Sequence, residues 1–144
     1  MQMIRLMESK DIEGVAELEK ECFSMPWSAA SLQKELDNEN SIFCVCEMDG
    51  TIVGYAGLYL VPPEGDITNV AVTALYRGRG IAKQLLETLF EQAAKKGITE
   101  FTLEVRVSNE PAICLYEKMG FRSEGIRKNF YDAPKEDACI MWKR

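Results

Sequence analysis

The chain has 144 residues, 47% of them hydrophobic and 28% charged, the balance of a globular protein long enough to bury a core without disulfide or metal support. Its formal net charge of −6 argues against general affinity for nucleic acid or an anionic membrane, which both need a basic surface, and favours a basic protein or peptide as partner. It contains no histidine, which removes Ser-His-Asp and Cys-His catalysis and with them the commonest general base.

The first residues, Met1 to Glu8, lack an apolar leader segment, and no apolar run approaches the roughly 20 residues needed to span a bilayer. The expected setting is the cytoplasm, and the expected organisation is one domain over residues 1–144, as a monomer. A first strand includes Arg5 and Leu6. A helix follows from Asp11 to Phe23, with Ile12, Val15, Ala16, Cys22 and Phe23 on one buried face. Pro26 ends it, because proline disfavours helical geometry at the residue before it. Trp27 in that break is either a plug between helices or a wall of a substrate groove. Ser28 caps a second helix running to Leu36.

Ser41 to Met48 and Thr51 to Leu60 form strands joined by Asp49-Gly50, a two-residue hairpin signal. Pro62-Pro63-Glu64-Gly65 is expected to end the second strand, and Asp66 to Val72 supplies the next. A helix beginning near Gly80 buries Ile81, Leu85, Leu86, Leu89, Phe90 and Ala93 and stops at Gly97. Phe101 to Val107 alternates, with Phe101, Leu103, Val105 and Val107 expected on one face and Thr102, Glu104 and Arg106 on the other. Ser108 or Asn109 caps a helix with Pro111 in its first turn and Gly120 at its end. Strands from Phe121 to Phe130 and Ala138 to Trp142 close the chain around the loop 131–137. The order predicts an α/β (α+β) domain whose sheet is mixed and mostly antiparallel.

Five cysteines, Cys22, Cys44, Cys46, Cys114 and Cys139, are an odd number without a disulfide framework and are expected to be reduced and mostly buried. Cys44 and Cys46 lack the further ligands of a tetrahedral site, so no metal is expected.

Chemistry concentrates between Asn69 and Leu86. A strand leads through Tyr76-Arg77-Gly78-Arg79-Gly80 straight into a helix. The first helical turn leaves backbone N–H groups unpaired at the positive end of the peptide dipoles. Glycines at 78 and 80 let backbone approach an anion, and Arg77, Arg79 and Lys83 add full charges suited to a pyrophosphate. The stretch matches neither the Walker pattern nor the full dinucleotide fingerprint. By itself it is either an anion site or a tight strand-to-helix turn.

Arg77-Gly-Arg-Gly-Ile-Ala82 resembles the R/Q-x-x-G-x-G/A signature of the GCN5-related N-acetyltransferases (GNAT). Three further stretches, Leu103 to Asn109, Leu115 to Phe121 and Glu136 to Met141, together with Phe23 to Trp27, resemble its RimI-type branch, which modifies the N-terminal alanine of a small-subunit ribosomal protein. The resemblance covers essentially the whole chain. It implies a sheet of about seven strands with about four helices, splayed at two central parallel strands, and acetyl transfer from acetyl-CoA to an amine in a ternary complex.

Under that resemblance the backbone of Val70, Ala71 and Val72 would bind the pantetheine arm, and Gly78, Arg79, Gly80, Ile81, Ala82 and Lys83 the pyrophosphate, behind the signature Arg77. Asn109 would contact the CoA arm. Glu104 would be the general base and Tyr116 the donor to the leaving thiolate, while Cys114 stays structural. Trp27 and Tyr131 would flank an acceptor groove for a basic protein N-terminus. Acetylation of a small amine or of lysine side chains, and a non-catalytic acyl-CoA-binding module, are the competing readings.

Overall fold

The computed structural model describes residues 2–144. In chain order the elements are β1 (Gln2–Leu6), α1 (Ile12–Cys22), α2 (Ala29–Leu36), β2 (Ser41–Met48), β3 (Thr51–Val61), β4 (Glu64–Val72), α3 (Ile81–Ala94), β5 (Glu100–Arg106), α4 (Glu110–Lys118), β6 (Arg122–Tyr131) and β7 (Glu136–Lys143). Local chemistry sets most boundaries. Ser28 Oγ accepts the Ser31 N–H at 3.1 Å to start α2, and Asn109 Oδ1 accepts the Ala112 N–H at 3.3 Å to start α4. Asp49 and Gly50 both adopt positive φ, 49° and 84°, the geometry that matches a two-residue turn to twisted strands. Before α1, the Arg5 guanidinium grips both oxygens of the nearly buried Asp11 at 2.7 and 2.8 Å and reaches Glu47 at 2.6 Å, tying β1, α1 and β2 together.

The seven strands form one sheet in the order β1-β2-β3-β4-β5-β7-β6. All neighbours are antiparallel except β4 and β5, which run parallel. Alternation along the strands divides the core in two. Met7, Phe43, Val45, Tyr55 and Ala71 meet α1 and α2 on one face, whereas Cys44, Ala56, Leu58 and Val72 meet α3 and Tyr116 of α4 on the other. The expected mixed sheet with four helices is the observed one.

Two details shape the middle of the sheet. The parallel pairing covers only Glu64–Asp66 against Glu100–Thr102, although β4 continues to Val72 and β5 to Arg106. Beyond Asp66 the strands part and leave an opening. Just there the β3–β4 register slips, with Gly57 opposite Asn69 but Leu58 opposite Ile67, so Thr68 is an extra residue in β4. Gly57 itself carries the ring of Phe43 where a Cβ would lie, 2.2 Å away. No larger residue fits beneath this bulge.

Two expectations are corrected. Only Pro62 and Pro63 form the turn after β3, because Glu64 and Gly65 already pair with Val61 and Leu60 and with β5. Gly65 belongs in the strand because the Phe101 ring occupies its side-chain space, 3.0 Å from a would-be Cβ. Cys114 is exposed rather than buried, since the inward stripe of α4 runs through Ala112, Ile113, Leu115, Tyr116 and Met119. The other four cysteines are free and buried or half-buried.

Candidate active site

Two cavities flank the opening and share a wall. One, of about 610 Å³, runs from Val70, Ala71 and Val72 to the N-terminus of α3 and across to Asn109 and Pro111. The other, of about 430 Å³, lies between α1, the β4 bulge, β5 and the loop after β6. Val70, Asn109, Tyr116, Cys22 and Phe23 line both. A molecule in the first cavity therefore meets one in the second across Val70 and Tyr116.

The backbone of β4 faces this opening in a fixed pattern. The Thr73 N–H donates to Val53 O at 2.8 Å, so residues 73 and 71 turn their polar groups toward β3, and Val70 and Val72 turn theirs away from it. The sheet supplies no partner strand on that side. Val72 O accepts from Arg77 Nε at 2.9 Å and from the Cys22 thiol at 3.6 Å. What remains open toward the cavity is the Val72 N–H and both polar groups of Val70, whereas Ala71 directs its own to β3.

Gly78 and Gly80 stand at φ 78° and 79°, and nothing lies within 4 Å of where their Cβ atoms would be. Backbone conformation, more than crowding, requires glycine here. Gly80 is the N-cap of α3 and brings no side-chain cap, so the first N–H groups of a 14-residue helix point outward uncapped. Gly78, Gly80, Ile81, Ala82 and Lys83 line the larger cavity. The two arginines behave differently from Lys83. Arg77 is folded back on Val72 O and on Cys22 Sγ, 3.5 Å away, and the Arg79 guanidinium lies 4.9 Å from the centre of the Tyr76 ring, outside both cavity linings.

Glu104, Tyr116, Trp27 and Tyr131 all line the smaller cavity. Glu104 extends from β5 beside the Arg127 guanidinium, 3.6 Å away, with about a quarter of its side chain exposed at 24%. Tyr116 is 7% exposed and packs edge-on against Phe121 at 5.7 Å. Burial, with the Tyr131 hydroxyl nearby, pushes its phenol up to about 12. Tyr131 is likewise pushed up to about 12, by burial and then by the Glu104 charge. Both stay protonated through the neutral range. Burial also raises the Cys22 thiol, the one cysteine in the cavities, which works against a thiolate there. The Trp27 ring packs edge-on to Phe43 at 6.5 Å and also lines the cavity.

Sequence reasoning passed over three participants. Glu19 sits on the apolar stripe of α1, 1% exposed, where it accepts hydrogen bonds from the Trp27 N–H at 2.8 Å, the Tyr55 hydroxyl and Asn69 Nδ2 at 3.1 Å. The signal was a carboxylate at the buried helical spacing 12, 15, 16, 19. Arg106 secures the loop after β6, donating to Pro134 O at 2.8 Å, Asp132 O at 3.1 Å and Glu136 at 3.2 Å, and stacking 4.4 Å from the Tyr131 ring centre. Asp66, at the last rung that β4 shares with β5, is held up to about 6 by burial and by the Glu104 charge. Among the described residues no cluster of His, Cys, Asp or Glu is arranged to hold a metal ion, and no helix is long and apolar enough to cross a membrane.

The sequence model of the acetyltransferase (GNAT) family matches residues 12–121. A Bacillus subtilis (strain 168) protein, described as a putative [ribosomal protein bS18]-alanine N-acetyltransferase, is 41% identical over 140 residues, 96% of this chain and 93% of its own length. The [ribosomal protein bS18]-alanine N-acetyltransferase of Escherichia coli (strain K12) is 32% identical, over 98% of this chain and 96% of its own. The crystal structure of the ribosomal-protein-S18-alanine N-acetyltransferase from Escherichia coli superposes with a TM-score of 0.90 at 32% identity, covering 99% of this chain and 93% of the other. With its split sheet, uncapped glycine-started helix and near-complete match to these relatives, the chain belongs to the GNAT acetyltransferase family and is an acetyl-CoA-dependent N-acetyltransferase.

Proposed function

We propose that this enzyme acetylates the N-terminal α-amino group of a protein, with the N-terminal alanine of a small-subunit ribosomal protein as acceptor, in the cytoplasm, as a monomer, and without metal or nucleic acid. The observation that carries the reading is the meeting of two cavities across Val70 and Tyr116, one beside an anion-binding helix start and the other beside a carboxylate. The relatives described as alanine N-acetyltransferases of ribosomal protein bS18 support the choice of acceptor.

The larger cavity fits acetyl-CoA. The unpaired backbone of Val70 and Val72 gives an extended chain something to bond, and the N–H groups at the start of α3, with Lys83 beside them, suit a pyrophosphate. Gly78, Gly80, Ile81 and Ala82 form that cradle. Arg77 contributes by fixing Val72, and Arg79 lends its charge from outside the lining. Asn109 uses Oδ1 on its own helix, leaving its amide NH₂ for the cofactor arm.

Acetyl-CoA, when bound in the larger cavity, would supply the thioester that the amine attacks. An α-ammonium, with a pKa of about 7.7–8.0, must lose a proton before its nitrogen can attack the thioester carbon, and the Glu104 carboxylate takes it. As the C–N bond forms and the C–S bond breaks, the Tyr116 hydroxyl gives its proton to the departing sulfur. The Val72 N–H, open toward the cavity, would donate to the carbonyl oxygen as charge gathers there. Trp27 and Tyr131 hold the acceptor between them.

Mass spectrometry of an alanine-starting ribosomal-protein peptide after incubation with enzyme and acetyl-CoA is expected to find one acetyl group on the α-nitrogen. Acetylation of a lysine side chain or a small amine, with the peptide terminus untouched, would overturn the assignment.

A further inference from the structure

Glu19 is a buried carboxylate whose close partners are all neutral. Oε1 accepts the Trp27 N–H at 2.8 Å, and Oε2 accepts the Tyr55 hydroxyl and the Asn69 amide at 3.1 Å. No Lys or Arg among the described residues pairs with it. A charge at 1% exposure without a cation is unusual, because desolvation is ordinarily offset by an opposite charge.

Its neighbour Asn69 is 6% exposed. Donating Nδ2 to Glu19 fixes the sense of the amide, since turning it over would set Oδ1 against a carboxylate. Oδ1 is then the one buried side-chain nitrogen or oxygen among the described residues that has no hydrogen-bond partner. Leaving such an acceptor unmet costs free energy, and native proteins rarely do so without a reason. Glu19 and Asn69 both line the smaller cavity, which Glu104 enters from β5. The donors around Glu19 are spent on its two oxygens, which leaves Asn69 Oδ1 as an unmet acceptor beside two carboxyl groups.

We infer that Glu19 and Asn69 form the recognition site for the protonated amine of the acceptor. An ammonium N–H donates to Asn69 Oδ1, the Glu19 charge behind it favours the cationic form, and Glu104 takes a proton from the same nitrogen. Asn69 binds the substrate, and Glu19 is a positioning residue acting through Asn69. Acetylation turns the ammonium into a neutral amide, so the product loses the interaction that held the substrate and leaves more readily. The inference rests on the reading that this cavity admits the acceptor's amino terminus.

The test is steady-state kinetics of the full-length enzyme with acetyl-CoA and an alanine-starting peptide, in the unmodified protein and in Glu19→Gln and Asn69→Leu. The acceptor KM is expected to rise roughly tenfold or more in each, as for loss of a charge-assisted hydrogen bond, with kcat changed by less than about threefold. The inhibition constant of the N-acetylated peptide, which carries no ammonium, is expected to stay unchanged. An unchanged KM, or an inhibition constant rising in step with it, overturns the inference, since the second result means the residues only shape the loop at Trp27. Should either variant fail to fold, the unmodified enzyme gives the same contrast. The peptide with its α-amino group replaced by hydrogen is expected to bind roughly tenfold or more weakly, and equal affinity overturns the inference. Turnover of a small primary amine but of no peptide would defeat the peptide reading alone, and the variants are then judged by that amine's KM.

Discussion

Glu104 and Tyr116 reach the smaller cavity under different solvent conditions. Glu104 keeps a quarter of its side chain in contact with water and has Arg127 nearby, so a proton it accepts has a route to solvent. Tyr116 is buried, and its phenol, near 12, holds its proton at every pH where the enzyme is expected to work. Glu104→Gln and Tyr116→Phe change almost no volume, and each is expected to lower turnover about 10²-fold or more while leaving acetyl-CoA affinity within about a factor of two. Stopped-flow or radiometric turnover beside a direct titration of acetyl-CoA checks this. Normal turnover in both variants would reassign the proton work to other groups. Because Tyr116 titrates so high, an alkaline limb in the rate profile below about pH 10 would have to come from another group.

Among the elements, the rung where β4 and β5 separate carries a cost. Asp66 pairs with Thr102 there, and burial, followed by the Glu104 charge, holds its carboxyl at about 6, above the 3.8 of a free side chain. Between those values the folded chain binds more protons than the unfolded one, so this group's stabilising contribution is complete below about pH 4 and is lost as pH rises through 6. Asp66→Asn is therefore expected to raise Tm at pH 7 and to have little effect at pH 4, as thermal unfolding at both values would show. A gain at pH 4 equal to that at pH 7 would mean the benefit has nothing to do with ionisation. The elements themselves were legible where the signal was local: the Asp49-Gly50 turn, the Ser28 and Asn109 caps, and the alternation of 101–106, whereas Val107, expected on the buried face, lies past the end of the strand and is exposed. Gly65 was misread as turn because what keeps it in the strand is the Phe101 ring, distant in sequence. Cys114 was misplaced because a nine-residue helix buries only one stripe, and its neighbours sit on that stripe.

At the scale of the whole molecule, the net charge of −6 and a cavity wall bearing Glu19 and Glu104 favour a basic acceptor. Raising the ionic strength from about 0.02 to about 0.3 M is expected to raise KM several-fold for a peptide with lysine or arginine after the alanine, and much less for one with neutral residues there. Equal salt effects on the two peptides would remove long-range attraction from the account. The site as a whole was readable in part. The helix start at Gly80 and the strand carrying Glu104 announce themselves in short contiguous motifs. Glu19, Asn69 and Asp66 gain their roles only through burial beside residues dozens of positions away, a property no local pattern records.

Arg106 follows Glu104 by two residues on β5, on the same face, and binds the carbonyls of Asp132 and Pro134, the Glu136 carboxylate and the Tyr131 ring. The mouth of the smaller cavity is thus bolted to the strand that carries Glu104. Anyone retargeting this enzyme by grafting residues 131–135 from another acetyltransferase would be moving a part whose fastener stays behind. Under the proposed acceptor site, the exchangeable unit is the loop together with its arginine.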